Sequence, residues 1–381
     1  MSFSHSSQWQ CLQTLSGHTG AINTLAISGD GQTLVSASHD HTVCLWNLKT
    51  GKREFTVFGY SQEVYAVAFH PMLPILATGD FDKKINLWNV TYHELIRTLS
   101  GEPGTANSHN GFVFALVFSP DQRLLISGSA DHTIRIWDAK TGKLMRTLTA
   151  HTGAILALAI SPNSQQLVSG SADTTVKIWD LNSYYPPRTL MGHSGWVMSV
   201  VISPDGSLLV TGGGDAMIRI WSLATGELLQ TLSDHLAPVL SLAISPDGQW
   251  LVSSSRDGTI KIWQLATGEL LDTLPGLPPV VFHADGKVLV TGGEDYTLKV
   301  WQFTHSSPVE LPTLDTVKSW WEVLEVSQKA NLDQVKQAYY RLARIHHPDL
   351  NTTQGAGEKM QIINRAYDQF LRHQQSRHSG F

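Results

Sequence analysis

Up to Phe303 the chain reads as short apolar stretches that alternate with polar positions and are broken by Gly, Pro, Asp and Ser. Beyond Asn331 the apolar spacing lengthens to three and four residues. Alternation marks half-buried β-strands, and the longer spacing marks an amphipathic helix. One β stretch shows the pattern. Trp196–Ile202 predicts a strand, Ser203-Pro204-Asp205-Gly206 a turn with Pro at its second position, and Leu208–Thr211 a second strand. Met217–Trp221 alternates as a third, and Ala224-Thr225-Gly226 turns the chain into Leu228–Leu232.

This unit repeats. Trp46, Trp88, Trp137, Trp179, Trp221, Trp263 and Trp301 follow one another in steps of 42, 49, 42, 42, 42 and 38 residues. Six residues before each stands an Asp: Asp40, Asp82, Asp131, Asp173, Asp215, Asp257 and Asp295. Four residues before each Asp is a Ser or Thr: Ser36, Thr78, Ser127, Ser169, Thr211, Ser253 and Thr291. Three linked positions kept in every unit specify a repeat architecture, in which each unit buries its apolar face against its neighbours.

These units resemble the WD repeat, over residues 9–303. The resemblance implies an all-β seven-bladed β-propeller, an arrangement that leaves only short, protected sheet edges. The last unit stops at Phe303 without an outer strand, so Trp9–Thr14 is expected to supply it and tie the ring shut. Five units also carry a His ahead of their first strand: His18, His109, His151, His193 and His235. With Ser36, Asp40 and Trp46, His18 matches the hydrogen-bonded Trp-Ser/Thr-His-Asp chain of WD repeats. A Ser-His-Asp set also suits a hydrolase, but a constellation copied five times around a ring is architecture, and no enzyme is expected. The second unit has Gly59-Tyr60, and the seventh Leu274-Pro275-Gly276-Leu277, where His is expected, so these two blades are read as lacking the chain.

By the same resemblance, residues beside the first core position of each opening strand, and the residue before each repeat Asp, face one end of the ring, the common binding face of the family. They include Glu63, Tyr65 and Phe81, then Phe112 and Phe114, Leu156, Trp196 and Met198, and Leu240 and Arg256. Large apolar side chains on neighbouring blades, where a solvated rim carries charge, mark a protein-binding surface. Tyr65, Phe81, Phe112, Phe114, Trp196, Met198 and Arg256 are its candidate contacts, with the insertion Gly101–Asn110 as a flap at the same end.

Residues 304–316 read as a linker and 317–373 as a second domain. Asn331 is a candidate N-cap with Gln334 as capping-box partner. Val335, Ala338, Leu342 and Ile345 form one helical stripe, with Lys336, Tyr340, Arg341 and Arg344 on the other side. Pro348 requires the helix to end near His346. Met360, Ile363, Ala366, Tyr367 and Phe370 mark a further helix, giving a helical hairpin, with Trp320–Leu324 as a short helix capping its open end. Trp320-Trp321-Glu322-Val323-Leu324, the stretch Val335–Asp349 ending in His347-Pro348-Asp349, and Asn364-Arg365-Ala366-Tyr367 resemble the J domain, the small all-α DnaJ-type module. The resemblance implies a co-chaperone that stimulates a DnaK-type heat-shock chaperone. His347, Pro348 and Asp349 would trigger that ATPase, and Lys336, Arg341 and Arg344 would dock it. Tyr340 and Gln337 stand where the family often has a basic residue, which leaves this face less basic than usual. Without Gly/Phe-rich or CxxC segments, the chain matches the minimal class, in which another domain selects the client. The alternative is a WD-repeat scaffold whose J domain is accessory or inactive.

Charge agrees with a two-part chain. From Val317 onward nine Lys and Arg face six Asp and Glu, leaving 18 against 26 in the part before it; the whole carries −5. A basic module can steer towards an acidic chaperone surface. The acidic remainder gives no argument for nucleic acid. Cys11 and Cys44 are too few for a disulfide framework or a cysteine zinc site, and no cofactor or metal is expected. The polar start Met1–Gln10 and the lack of a long apolar run point to a cytoplasmic protein without membrane contact.

Overall fold

The first six units each fold into four antiparallel strands, joined by tight turns. In the fifth these are Val197–Ile202, Leu208–Gly213, Ile218–Ser222 and Leu228–Leu232. At the first turn the Asp205 carboxylate accepts from the Ser203 hydroxyl and the Ser207 N–H, and Ser203 Oγ accepts the Leu208 N–H at 2.9 Å. The same Ser-centred turn recurs at Ser28, Ser119, Ser161 and Ser245.

In the computed structural model the described residues are 9–99, 108–304, 321, 324, 326, 327, 330 and 332–346. Seven four-stranded sheets follow one another, and the inner strands of neighbouring blades touch all the way round, the seventh meeting the first. This is a seven-bladed propeller. The second strand of each blade is buried on both faces; Leu34, Leu76, Leu125, Leu167, Leu209, Leu251 and Leu289 are fully enclosed. The core therefore lies between blades. One cluster joins Val35, Val43 and Leu45 of the first blade to Val64, Val67 and Leu76 of the second.

Closure follows the sequence expectation. Trp9–Leu15 pairs antiparallel with Leu298–Phe303, from Trp9 opposite Phe303 to Leu15 opposite Leu298, and becomes the outer strand of the seventh blade. Leu15 reaches on into the core shared with the first blade, beside Leu34 and Trp46. In the fourth blade the outer strand shrinks to Arg188–Leu190. Pro186 and Pro187 precede it, and neither has an N–H to give the ladder.

The chain divides into two compact units, 1–304 and 305–381. In the second, helix α1 spans Leu332–His346 and ends where Pro348 requires. Val335, Ala338 and Leu342 are buried, and Val335 and Leu342 cluster with Leu324. The expected second helix around Met360–Phe370, the Asn331 cap, and most of Trp320–Leu324 and of the Gly101–Asn110 insertion lie outside the described residues.

Candidate functional site

The repeated polar set is a rigid tie within each blade. In the first, Trp46 Nε1–H donates to Ser36 Oγ at 2.8 Å, His18 Nε2 lies 2.7 Å from that oxygen, and His18 Nδ1 lies 2.8 Å from Asp40. With the indole donating to Ser36, the hydroxyl is placed to donate to His18 Nε2, and Nδ1–H to Asp40. The His–Asp and His–Ser/Thr links recur at 2.7–2.9 Å around His109, His151, His193 and His235. Burial pushes those four imidazoles below their ordinary value despite the Asp partner, and Arg135, Lys177, Arg219 and Lys261 add to it. The imidazoles are buried and their nitrogens engaged, so the set anchors strands.

The second blade differs from the sequence expectation. Tyr60 stands in the His place, 2.8 Å from Thr78 Oγ1, and Trp88 Nε1–H donates to the same oxygen at 3.2 Å. A phenol replaces the imidazole, and only the last link is missing, since Asp82 is bonded by Ser61 instead. The seventh blade keeps just the Trp301–Thr291 bond.

These ties hold one end of the ring. There the N–H of the residue before the repeat Asp donates to the carbonyl of the residue before the first core position: Phe81 to Glu63, Ala130 to Phe112, Gly214 to Trp196, Arg256 to Pro238. One residue further on, the pairing register slips at a β-bulge, at Tyr65 between Val64 and Ala66, Phe114 between Val113 and Ala115, and Met198 between Val197 and Ser199. A bulge leaves its residue unpaired and re-aims the side chain.

The structure brings four of the predicted residues together. Phe81 is stacked between Tyr65 (centroids 4.6 Å apart) and Phe112 (3.9 Å), and Phe114 meets all three edge-on. Phe112 is exposed; Tyr65, Phe81 and Phe114 are half-buried. Trp196, 57% exposed, half-buried Met198 and exposed Arg256 occupy the equivalent positions of the fifth and sixth blades, apart from this stack of the second and third.

Sequence reasoning missed His39. Its Nδ1 lies 2.9 Å from Glu63 Oε1 and its Nε2 3.1 Å from the Tyr65 hydroxyl. His39 precedes Asp40, so the rule that selected Phe81 also selects it. Burial, and then the Glu63 charge, push the Tyr65 phenol up to about 12. Asp80 was missed as well. It is buried where other blades carry Ser38, Ser129, Ser171 and Ser255.

In the second unit Lys336 and Arg341 are exposed on α1, opposite the buried Val335, Ala338 and Leu342. The Arg344 side chain and His347, Pro348 and Asp349 lie outside the described residues. Among the described residues no group of three His, Cys, Asp or Glu side chains is placed to hold a metal ion, and no helix is long and apolar enough to cross a membrane.

The family model for the WD domain, G-beta repeat, matches residues 9–47, 51–89, 95–138, 142–180, 184–222, 226–264 and 280–302. The chain belongs to the WD-repeat family. The WD repeats are joined to a second matched module: the DnaJ domain model fits residues 319–379. Among similar proteins, the WD-repeat chain is 36% identical over 83 residues to the eukaryotic translation initiation factor 3 subunit I of Aspergillus niger. It is 33% identical over 84 residues to that of Neurospora crassa. The alignments cover 22% of this chain and 25% and 24% of those proteins, so the WD-repeat chain matches about a quarter of their length.

Proposed function

We propose that the chain is a co-chaperone: its J domain stimulates the ATPase of a DnaK-type chaperone, and its propeller binds the protein that is to be delivered. The reading rests on one observation above all. His347-Pro348-Asp349 directly follows a helix that buries Val335, Ala338 and Leu342 and exposes Lys336 and Arg341. In the sequence, an intact signature thus follows a helix whose exposed residues include two basic ones, which supports the reading. Charged docking speeds encounter and sets partner choice, and Asp349 suits a charge-assisted bond with a partner arginine. The repeated His of the propeller are engaged in the blades, which supports a binding role for it, with Phe112 and Trp196 exposed on its surface. We place this protein in the cytoplasm.

The test is steady-state ATP hydrolysis by a bacterial DnaK-type chaperone with and without the full chain. Wild type should stimulate turnover, and Asp349→Asn and His347→Gln should abolish stimulation while the circular dichroism spectrum stays unchanged. Stimulation that survives both substitutions sinks the co-chaperone reading. A second reading is a scaffold whose propeller alone carries the function. The partial likeness to a subunit of an initiation factor favours it, and a folded chain that never stimulates the ATPase would select it.

A further inference from the structure

The fourth blade departs from its neighbours where its third strand turns into its outer one. Five residues after the repeat Trp, the first, second, third, fifth and sixth blades carry Gly51, His93, Gly142, Gly226 and Gly268, each with φ between 59° and 76°. At the four glycines the N–H donates to the carbonyl of the residue after Trp at 2.8 Å, which closes the turn. The fourth blade has Tyr184 at this place, and its turn opens: the Ser183 N–H approaches the Asp180 carbonyl at 3.4 Å. Where the fifth and sixth blades bring Leu228-Leu229 and Leu270-Leu271 into the outer strand, the fourth has Pro186-Pro187, and pairing starts only at Arg188, opposite Ile178. Tyr185 and Pro186 each precede a proline, which confines them to extended geometry. Tyr184 is 88% and Tyr185 83% exposed, the highest values of any aromatic residue among the described residues. They stand beyond the opposite end of Val176–Asp180 from the Asp173 turn, away from the end of the ring that presents Phe112 and Trp196.

We infer that Tyr184-Tyr185-Pro186-Pro187 is a docking segment for a protein domain whose groove is lined with aromatic rings. It does not rest on the co-chaperone reading. The segment is held at both ends. Arg146 of the third blade donates from Nη1 to the Ser183 carbonyl at 2.6 Å and lays its guanidinium 4.4 Å from the centre of the Tyr184 ring. Arg188 donates from Nη1 to the Ala224 carbonyl at 2.7 Å. Little ordering therefore remains to be done on binding, which favours affinity. Charge and backbone chemistry decide the class of partner. Leu181–Pro187 carries no charge, so a basic or acidic recognition site has nothing to pair with. The two prolines have no N–H, so the stretch cannot be zipped onto a sheet edge as a full strand. What it offers is a pair of large rings beside two pyrrolidines in extended backbone, and aromatic-lined grooves recognise extended proline segments by their rings.

The experiment is surface plasmon resonance with the full chain immobilised and two purified probes, a WW domain and an SH3 domain, both with aromatic-lined grooves for proline segments. One or both should bind. The variant Tyr184→Gly/Tyr185→Glu/Pro186→Leu/Pro187→Leu gives the fourth blade the residues that the fifth carries at Gly226–Leu229, so its turn can close. It should weaken binding by about tenfold or more. Tyr185→Ala, which leaves the opened turn in place, should also lose about tenfold. Tyr92→Ala, at the exposed tyrosine of the second blade, should bind as wild type. Binding of neither domain by wild type, or full affinity in the folded four-residue variant, overturns the inference. Binding that appears only after the tyrosines are phosphorylated overturns it too, because the recognised group is then a phosphate. So does a wild-type self-association that the four-residue variant abolishes, because the occupant is then a second copy.

Discussion

The Tyr60 phenol lies 2.8 Å from the Thr78 hydroxyl, the place where His18, His109, His151, His193 and His235 meet a Ser or Thr in their own blades. The two kinds of tie differ in what they leave behind when cut. Tyr60→Phe removes one hydroxyl and strands no charge, because Asp82 has Ser61. It should cost about 1 kcal/mol. His151→Phe takes a partner from a carboxylate held at 2.7 Å, and should cost about 2–3 kcal/mol, the range for a buried charged group left short of a bond. Urea denaturation of the two variants checks the order; equal losses would mean the Asp link carries no weight.

Asp80 gives the second blade a pH response opposite to ordinary carboxylates. Burial pushes its carboxyl up to about 6, the Asp82 charge adds to this, and the Lys84 N–H, 3.0 Å away, only partly offsets it. The folded chain therefore holds this proton more tightly than the unfolded one. The resulting stability is fully present below the unfolded value of 3.8 and is lost as pH rises through about 6. At neutral pH the ionised group weakens its blade. Asp80→Ser, the residue of four other blades, should raise stability at pH 7 by about 1–2 kcal/mol. The gain should disappear in melts carried out below about pH 4. A variant less stable than wild type at pH 7 contradicts this.

The propeller was legible because its signals are redundant. Asp, Ser/Thr and Trp recur at fixed offsets, and the missing outer strand after Phe303 pointed back to Trp9. The candidate face was legible for a related reason: residues on both sides of a core position, such as Phe112 and Phe114 around Val113, share a face by alternation alone. The bulges that re-aim Tyr65, Phe114 and Met198 left no mark, because they arise from how two strands pair. Tyr60 was passed over because a search for His cannot see that a phenol reaches the same hydroxyl. Asp80 hid in a slot where only the blade alignment shows that a small neutral residue belongs.

The five repeat histidines should not titrate alike. Burial lowers His109, His151, His193 and His235, each with a cation two residues before its Trp. In the first blade that place is Cys44. Burial pulls His18 down as well, but Cys44 and Asp40 outweigh it and the net shift is upward. Groups with lowered values lend stability that is present above the unfolded pKa of 6.5 and lost as pH falls. His18 does the reverse, its share fading as pH rises through its folded value. Imidazole proton resonances followed by NMR should show His18 titrating above 6.5 and the other four below it. Cys44→Arg should bring His18 down to join them; a His18 that stays high in that variant would falsify the assignment of the shift to position 44.

Trp9 and Leu12 lie on one strand and should answer very differently to truncation. Trp9 is 4% exposed and its ring meets Phe303 at 5.4 Å, Trp250 at 5.9 Å and Phe282 at 6.2 Å, so it binds the closing strand to the sixth and seventh blades together. Leu12 falls at the bulge between Cys11 and Gln13 and is 57% exposed. Leu12→Ala should change stability by under about 0.5 kcal/mol, as at most surface positions. Trp9→Ala should cost about 3–5 kcal/mol, since the three rings around it cannot collapse into the space left behind. The loss has a second consequence that a simple cavity lacks. Loosening Trp9–Leu15 uncovers the edge of Leu298–Phe303, and an unpaired edge recruits strands from other chains. Trp9→Ala should therefore both lower the urea midpoint and introduce concentration-dependent association in sedimentation velocity, while Leu12→Ala does neither. If Trp9→Ala melts early but stays monomeric at every concentration, the strand remains paired without its anchor, and closure rests on the backbone ladder and Leu15 instead.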